Sequence, residues 1–337
     1  MTDLDLDDVN LDRERLRLAE LFDVAPSRVL HAFSVLGVAD HIPDAGTGLD
    51  ALATALDTDP GRLARLVRAA ECLDVVRVDA DRTVRLTPAG TLLRSGQPGG
   101  LRAEFSDNSL FTAWGPFADC VRGGRPSYEL VHGTAIFDAI GDDPEALATF
   151  HEHMRTRAAR LYRPLLPFLL DRCAPDVVDV AGGTGGLARL LLEHGTTHHV
   201  TLTDLPEVIA LVPDELARRH PGRFATVAAD MREHIPPGHG TYVLGSVLHD
   251  WPDAEAGRLL TRCARAMGPG SEVILLERVL SETGPDPRTM GDMWMMAMTG
   301  GQERTRAQWA ALASGAGLSL REVHDAGGEL SAVVLAH

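Results

Sequence analysis

The chain has 337 residues, 45% of them hydrophobic and 24% charged, and its formal net charge is −16. This composition is ordinary for a globular protein, and the length allows two domains. The strong negative charge disfavours nucleic acid and anionic membranes as partners. All 32 basic residues are arginines, so the chain has no lysine base and no lysine for a Schiff base.

The cysteines and the N-terminus carry no signal for metal, secretion or a membrane. Four cysteines are far apart in the chain without a CxxC pair, so neither a zinc knuckle nor a disulfide scaffold is indicated. The first ten residues, "MTDLDLDDVN", are acidic and lack the apolar segment of a signal peptide. No apolar run approaches the roughly 20 residues that span a bilayer. We therefore expect a cytoplasmic protein.

The N-terminal region predicts a short acidic tail over residues 1–12, followed by a small helical domain over 13–98. The stretch "RVLHAFSVLGVADHI" has a broad apolar face, and "LDALATALDTDPGRLARLVRAAECLD" is typical of two short helices. Next, "VVRVDADRTVRLTPAG" alternates apolar and polar residues on both sides of 79–81, which predicts a hairpin. Two helices followed by a hairpin are the outline of a winged helix.

A winged helix raises the alternative of a transcription regulator, because Arg62, Arg65 and Arg68 lie on the second predicted helix. The first 100 residues hold 17 acidic residues against 11 arginines, however, which is a poor footprint for binding phosphates. Arginines also commonly solvate the outer face of an amphipathic helix. We therefore expect this domain to be a docking surface that does not bind nucleic acid.

After the N-terminal region, the predicted secondary structure changes near residue 168. Residues 99–168 are mostly helical and rich in aromatic and thioether side chains, which predicts a linker that also lines a pocket. From 169 to 337 strands alternate with helices, which predicts a parallel sheet with helices on both faces. The predicted strands cover 177–180, 199–203, 224–228, 241–247, 272–277 and 331–336.

A glycine-rich turn, "DVAGGTGG" at 179–186, joins the first predicted strand of this region to a helix. Glycine lets the backbone approach a ligand closely, and a helix N-terminus offers free amides. Asp204 ends the next strand, where a carboxylate is placed to bind ribose hydroxyls. Asp230 and Met231 end the third strand and could contact an adenine. Both NAD and S-adenosylmethionine fit such a slot, and a helix cap is the alternative role for Asp230.

The fourth strand, in "TYVLGSVLHDWPDAEAGRLL", brings a histidine to the same edge of the sheet. His249 follows this strand, Glu277 ends the fifth strand, and Glu303 lies in a loop before the next helix. A general base needs groups that orient it and stabilise its cation, and carboxylates from separate elements can do both. The pattern indicates a catalytic histidine flanked by two glutamates.

The ordered set "DVAGGTG", "DLP", "AADM", "LHDWPD", "ILLERVL" and "GDMWMMAMTGGQERT" resembles the S-adenosylmethionine-dependent small-molecule O-methyltransferases. These are the plant caffeate/flavonoid type and its bacterial relatives in aromatic polyketide tailoring. The resemblance implies an α/β fold, with a doubly wound Rossmann-like methyltransferase domain behind a mainly α-helical winged-helix dimerisation domain. It also implies a homodimer that uses S-adenosyl-L-methionine, releases S-adenosyl-L-homocysteine and needs no metal.

The resemblance further implies roles for individual residues. His249 would be the general base, flanked by Glu277 and Glu303. The cofactor would contact Gly182, Gly183 and Gly185 with its methionine end, Asp204 and Leu205 with its ribose, and Asp230, Met231, Ser246 and Trp251 around its adenine. The acceptor would contact Phe150, Met154, Trp294, Met295 and Met298. Ala181 stands where the family usually has the first glycine of its triplet.

The function that this resemblance implies is methyl transfer to a phenolic hydroxyl of an aromatic natural product such as a polyketide. A methyltransferase fold can also be used for other chemistry, so a hydroxylase or a decarboxylase remains an alternative. A nicotinamide-dependent dehydrogenase is a further alternative, because the predicted nucleotide slot alone does not distinguish the two cofactors.

Overall fold

The structure is a computed structural model that describes residues 4–97 and 99–337. The chain divides into two compact units, Met1–Asn108 and Ser109–His337. The sequence predicts region boundaries after residues 12, 98 and 168. These boundaries remain predictions. Among the helices of the described residues, none combines the length and the apolar character needed to cross a membrane.

The N-terminal unit is mainly helical and has its own core. Its elements are α1 (Leu4–Phe22), α2 (Ala25–Val35), β1 (Thr47–Gly48), α3 (Leu49–Ala55), α4 (Pro60–Cys72), β2 (Val76–Val78), β3 (Thr83–Leu86), α5 (Pro88–Thr91) and α6 (Arg102–Ser106). Helix α4 begins where Asp59 accepts a hydrogen bond of 2.8 Å from the backbone N–H of Arg62. Phe33, Leu63 and Val67 are among the buried residues that hold these elements together.

The predicted hairpin is confirmed. Strands β2 and β3 pair antiparallel, with Val76 opposite Leu86, and β1 adds a short antiparallel edge to β3. Arg82 turns the chain with a positive φ of 64°. On α4, Arg62 is exposed while Leu63 is buried, as expected of an amphipathic helix.

The N-terminal acidic segment differs from the expectation of a tail. Residues 4–12 belong to α1, and residues 1–3 lie outside the described part of the chain. Ion pairs three residues apart support this helix, with 2.7 Å between Asp12 and Arg15 and 2.8 Å between Glu14 and Arg17.

The C-terminal unit begins with short helices and then alternates strands and helices. The helices are α7 (Asn108–Thr112), α8 (Phe117–Val121), α9 (Ser127–His132), α10 (Ile136–Gly141), α11 (Pro144–Tyr162), α12 (Leu166–Arg172), α13 (Gly186–His194), α14 (Pro206–Ile209), α15 (Asp214–Arg219), α16 (Asp253–Ala266), α17 (Thr289–Met298) and α18 (Arg306–Gly315). The strands are β4 (Asp176–Val180), β5 (His199–Asp204), β6 (Phe224–Ala228), β7 (Thr241–Gly245), β8 (Glu272–Glu277), β9 (Val279–Leu280), β10 (Arg304–Thr305), β11 (Ser319–Asp325) and β12 (Ser331–Ala336).

Seven of these strands form one sheet in the order β11-β12-β8-β7-β4-β5-β6. From β8 to β6 every neighbouring pair is parallel. The chain runs outward from β4 through β5 to β6, and then returns to the other side of β4 with β7. Ligands of doubly wound sheets bind at the carboxyl ends of the strands where the order reverses, which here is between β4 and β7. The predicted α/β fold class is confirmed.

The far edge of the sheet corrects the prediction of an all-parallel arrangement. Strand β12 is antiparallel to β8, and β11 is antiparallel to β12. The five residues 326–330 that connect β11 to β12 are too few for a parallel crossover, which needs about a dozen or more. Strand β11 was missing from the prediction because polar residues fill much of it and its side chains are only partly buried.

Candidate active site

The glycine turn follows β4 and leads into α13, at the point where the strand order reverses. Its glycines are needed for different reasons. At Gly182 a Cβ atom would lie 2.4 Å from the Cγ of Asp179, so packing excludes a side chain there. Gly183 and Gly185 have positive φ angles of 61° and 85°. Gly185 provides no side-chain cap for α13, whose N-terminus therefore begins at a bare backbone.

Ala181 adopts a conformation that normally favours glycine. Its φ is +52°, and its side chain packs beside a buried cluster that includes Val180. A left-handed backbone costs a residue with a Cβ about 1–2 kcal/mol. The turn therefore has a left-handed residue at the position where the family usually has a glycine.

Asp204 lies at the carboxyl end of β5, beside the glycine turn. Its Oδ2 accepts a hydrogen bond of 2.8 Å from the N–H of Gly183, and its Oδ1 accepts one of 2.8 Å from the N–H of Leu205. Burial raises the pKa of Asp204 above its usual range, and these two amides offset part of that effect. Each carboxylate oxygen keeps a second lone pair that can accept from a ligand hydroxyl.

Asp230 is engaged by a neighbouring arginine. Arg232 donates to it from the guanidinium at 2.6 Å and from the backbone N–H at 2.8 Å, and the guanidinium keeps the pKa of Asp230 below its usual range. The carbonyl of Asp230 also accepts from the N–H of Glu233 and His234, which closes a turn. No helix begins at Asp230 in the described residues, so the helix-cap role that the sequence left open is absent, and Asp230 instead stabilises a turn and forms an ion pair. Met231 packs against the same buried cluster as Ala181.

His249 lies in a short 3-10 helix, Leu248–Asp250, that follows β7. The ring is buried, with 7% of its surface exposed. Its Nδ1 lies 3.1 Å from Oε1 of Glu303 and 3.5 Å from Oε2 of Glu277. Only the contact with Glu303 has hydrogen-bond geometry. The structure thus brings together the histidine and both glutamates that the sequence singled out.

Each glutamate is held by a second partner. Oε1 of Glu277 accepts hydrogen bonds from the N–H groups of Val247 at 3.2 Å and Leu248 at 2.9 Å. Oε1 of Glu303 accepts a hydrogen bond of 3.0 Å from the guanidinium of Arg278. Both carboxylates are almost fully buried, and burying a charged group costs free energy unless it is paired and hydrogen-bonded. The contacts named above offset this cost and fix the positions of the two carboxylates.

The electrostatics of this cluster favour a charged imidazole. Burial alone would lower the pKa of His249, but Glu277, Asp250 and Glu303 outweigh it and raise the pKa to about 9. Burial raises the pKa of Glu277 to about 7, with His249 acting in the opposite direction. For Glu303, burial is outweighed by His249 and Arg278, so its pKa lies below the usual range. Of the two glutamates, Glu303 is therefore the one that stays ionised at neutral pH.

The loop before α18 is fastened to the backbone of the histidine segment. The N–H of Gln302 donates to the carbonyl of His249 at 2.8 Å. A Cβ at Gly301 would lie 1.9 Å from the same carbonyl oxygen, so only glycine fits. The fully buried guanidinium of Arg304 donates to the carbonyl of Leu248 at 3.0 Å. Sequence reasoning missed Arg304, because an arginine next to a helix ordinarily indicates a solvated face.

Two further residues near the base were missed. Oδ2 of Asp250 lies 3.9 Å from Nε2 of His249, on the side of the ring opposite Glu303. Tyr162, at the end of α11, is buried and hydrogen-bonds Ser246, and burial raises the pKa of its hydroxyl. A Cβ at Gly245 would lie 2.7 Å from that hydroxyl oxygen. Tyr162 belongs to a buried cluster that also includes Val177 of β4 and Leu276 of β8.

The remaining predicted residues lie on three different elements. Ser246, directly after β7, has a positive φ of 55°, and Trp251 packs partly buried against the cluster that also contacts Met231. On α11, Phe150 and Met154 are half-buried. The candidates on α17 differ in burial: Trp294 is half-buried, whereas Met295 and Met298 are buried. The ring centroid of Trp294 lies 5.7 Å from that of Trp114.

Ligand atoms from His249, Glu277 and Glu303 all lie within 4.8 Å of one another, a spacing that could also hold a metal ion. The guanidinium of Arg278 already supplies a positive charge 3.0 Å from Glu303, and two backbone amides occupy Oε1 of Glu277. These contacts suit a histidine with oriented carboxylates better than an open cation site.

Comparison with known families identifies both regions of the chain. Residues 114–319 match the family model of the O-methyltransferase domain, and residues 19–96 match the O-methyltransferase dimerisation domain. The match to the methyltransferase domain covers more than half of the sequence.

Curated relatives match along most of their length. The chain is 32% identical to 8-amino-8-demethylriboflavin N,N-dimethyltransferase of Streptomyces davaonensis, covering 90% of both chains. It is 31% identical to 2,7-dihydroxy-5-methyl-1-naphthoate 7-O-methyltransferase of Streptomyces carzinostaticus, covering 91% of this chain and 93% of the relative.

A solved structure is similar over most of the chain. It is an O-methyltransferase from neocarzinostatin biosynthesis, crystallised with S-adenosylmethionine and 2-hydroxy-5-methyl naphthoic acid. The TM-score is 0.82 at 30% sequence identity, covering 94% of this chain and 97% of that one.

Proposed function

Because the chain belongs to the S-adenosylmethionine-dependent O-methyltransferase family, we propose that it methylates a phenolic hydroxyl of an aromatic natural product, with His249 as general base. The chain is a methyltransferase, and its cofactor is S-adenosyl-L-methionine. The observation that carries the proposed acceptor chemistry is the buried imidazole, 3.1 Å from Glu303, in the 3-10 helix that follows β7, the strand paired with β4.

The residues around the glycine turn fit this cofactor. Gly183 and Gly185 leave their positions in the turn without side chains, and the bare N-terminus of α13 follows. We assign the methionine end to this turn and the ribose to Asp204 with Leu205. Asp230, Met231, Ser246 and Trp251 are proposed to surround the adenine. When bound, S-adenosylmethionine supplies a methyl group already activated by its positively charged sulfur.

His249 would remove the proton of the acceptor hydroxyl. In the neutral ring, the hydrogen is assigned to Nδ1, because Nδ1 faces Glu303, and this leaves Nε2 as the acceptor. A free phenol has a pKa of about 10, so it is mostly protonated at neutral pH. Proton removal by a positioned base typically accelerates such a step by about 10²–10⁴-fold. Glu303 and Glu277 would stabilise the imidazolium that forms.

A flat aromatic acceptor fits the side chains that α11 and α17 provide. Phe150, Met154 and Trp294 are half-buried and offer aromatic or thioether surface. Met295 and Met298 are more deeply buried and would shape the pocket from behind. The names of the curated relatives supply the acceptor class, a hydroxylated naphthoate in one case and an aminoriboflavin in another. An oxygen acceptor is favoured here because a phenol needs the base that His249 would provide.

The N-terminal unit is proposed to form a homodimer. It matches the O-methyltransferase dimerisation domain, and α1 exposes apolar side chains. Leu16, Leu21 and Phe22 have 68%, 72% and 87% of their surfaces exposed. A symmetric partner that covered these side chains would remove them from water.

The proposal is tested with S-adenosylmethionine whose methyl group carries deuterium, and a panel of hydroxylated naphthoates, anthraquinones and phenolic acids. The expected product contains the labelled methyl group on oxygen. A product that gained an oxygen atom or lost carbon dioxide, without the label, would instead support a hydroxylase or a decarboxylase. Transfer of the label only to the nitrogen of an added aminohydroxybenzoate, and to none of the phenols, would retain the methyltransferase and overturn the phenolic acceptor.

A further inference from the structure

One imidazole lies directly over the glycine turn and has no part in the proton transfer described above. His151 belongs to α11, and its Nδ1 is 3.2 Å from the point where a Cβ of Gly183 would stand. The hydroxyl of Thr184 donates to the backbone carbonyl of His151 at 3.4 Å, which ties the helix to the turn. The ring therefore covers the turn from the side of α11.

The ring nitrogens of His151 are available to a ligand. In the described part of the chain, no protein group hydrogen-bonds either nitrogen, and the ring contact is edge-on with Phe150 at 5.2 Å. Burial lowers the pKa of His151 to about 4, so the imidazole is neutral at neutral pH. A neutral imidazole has one N–H donor and one acceptor nitrogen.

We propose that His151 binds the amino-acid end of the cofactor, its α-carboxylate and α-ammonium groups. The inference rests on the proposed function, since it assumes that the methionine end of S-adenosylmethionine lies along the glycine turn. That end carries a group that accepts hydrogen bonds beside a group that donates them. One nitrogen of a neutral imidazole can donate to the carboxylate while the other accepts from the ammonium.

The glycine turn supports this placement. Gly183 cannot contribute a side chain, and its N–H is already donated to Asp204. A side chain at position 183 would also press against the His151 ring. The polar side chain of the turn, Thr184, already donates its hydroxyl to His151, so a side chain that recognises both groups of the amino-acid end has to come from another element. Helix α11 packs against the turn and supplies His151 there.

The test compares two ligands that differ in the amino-acid end. S-adenosylhomocysteine carries it, whereas methylthioadenosine has the same adenosine and a thioether but lacks it. Calorimetric titration of the full chain gives the Kd of both ligands for the wild type, His151→Ala and His151→Asn. For His151→Ala we expect about tenfold or more weaker binding of S-adenosylhomocysteine, in the range of one hydrogen bond to a charged group, and an unchanged Kd for methylthioadenosine. His151→Asn keeps one donor and one acceptor and should restore part of the affinity.

The matched control is Asp204→Ala, which should weaken both ligands because both carry the ribose. If His151→Ala weakens both ligands equally, the residue only shapes the turn and the inference is overturned. It is also overturned if neither Kd changes. If the wild-type chain binds neither ligand, the proposed cofactor site itself fails, and this result is distinct from the other two. Melting temperatures of each variant show whether it is folded.

Discussion

The two halves of the candidate site are constructed in different ways. The glycine turn is a local structure, in which residues 181–186 set the backbone and Asp204 braces it with one hydrogen bond of 2.8 Å. The His249 cluster is non-local, because its glutamates come from positions 28 and 54 residues further along the chain. In the proposed function, the first half would bind the cofactor mainly through backbone, and the second would remove a proton by means of buried charged groups. Substitutions in the two halves should therefore change different measurable quantities.

The largest expected effect separates chemistry from cofactor binding. His249→Ala should lower kcat by about 10²–10⁴-fold, because the acceptor loses its base. The Kd for S-adenosylmethionine should stay unchanged, since the glycine turn is intact. His199→Ala, at the exposed amino end of β5, is the matched control and should retain full turnover. Normal turnover by a folded His249→Ala variant would remove the base assignment.

A smaller effect is expected when the orientation of the base is disturbed. Glu303→Gln removes the charge that Nδ1 of His249 faces, and kcat should fall by about 10–100-fold, as is typical when an orienting carboxylate is lost. Steady-state kinetics of Glu329→Gln provides the control, because Glu329 pairs with the same Arg278 at 3.1 Å without contacting the histidine. Equal losses in both variants would mean that Arg278, and not the histidine, is responsible.

The pH dependence should follow the carboxylates. A general base works in its neutral form, and the pKa of His249 is raised to about 9, so kcat/KM should rise with pH between about 6.5 and 9. Glu277→Gln removes one charge that favours the imidazolium, so the pKa should fall and the rising limb should move to lower pH. A limb that stayed in place, or moved upward, would contradict the proposed coupling. The measurement is the pH profile of kcat/KM for both proteins.

The smallest effect is expected in the glycine turn. Ala181→Gly relieves a side chain held at a φ of +52° and should raise the free energy of unfolding by about 0.5–1 kcal/mol, with the pH profile unchanged. Ala188→Gly, inside α13, is the opposite case and should lower it by about 1 kcal/mol. Denaturant titration distinguishes the two. A destabilised Ala181→Gly variant would mean that the alanine methyl contributes more through packing than it costs in backbone strain.

The local half of the site was the easier one to predict from sequence. The glycines, Asp204 and the end of each strand follow from short patterns, and the strand order then explains why His249 lies near them. What local patterns miss is the pairing of exposed polar residues. The local patterns did not reveal that the guanidinium of Arg232 donates to the carboxylate of Asp230. They also assigned residues 4–12, which are helical, to a tail. Strand β11 was missed because its side chains are only partly buried and the segment therefore lacks an apolar pattern.

Residues that act through tertiary contact were also beyond the sequence. His151, Tyr162 and Arg304 are each unremarkable in their own segments, and their significance comes from what packs against them. Met298 illustrates the converse, since a methionine that the resemblance assigns to the acceptor pocket is buried beside Ala297 and Tyr128. Burial of this kind depends on which helices meet, and periodicity within one helix does not specify it.

Gly301 makes one side of the proposed site less tolerant of substitution than the other. With no side chain at 301, the loop that carries Glu303 lies against the backbone of His249, so a larger residue at 301 would separate Glu303 from the proposed base. Phe150, Met154 and Trp294, on α11 and α17, are half-buried, and no such backbone contact restricts them. In the proposed function, substitutions at these three positions would change the acceptor while the contact between His249 and Glu303 stays in place.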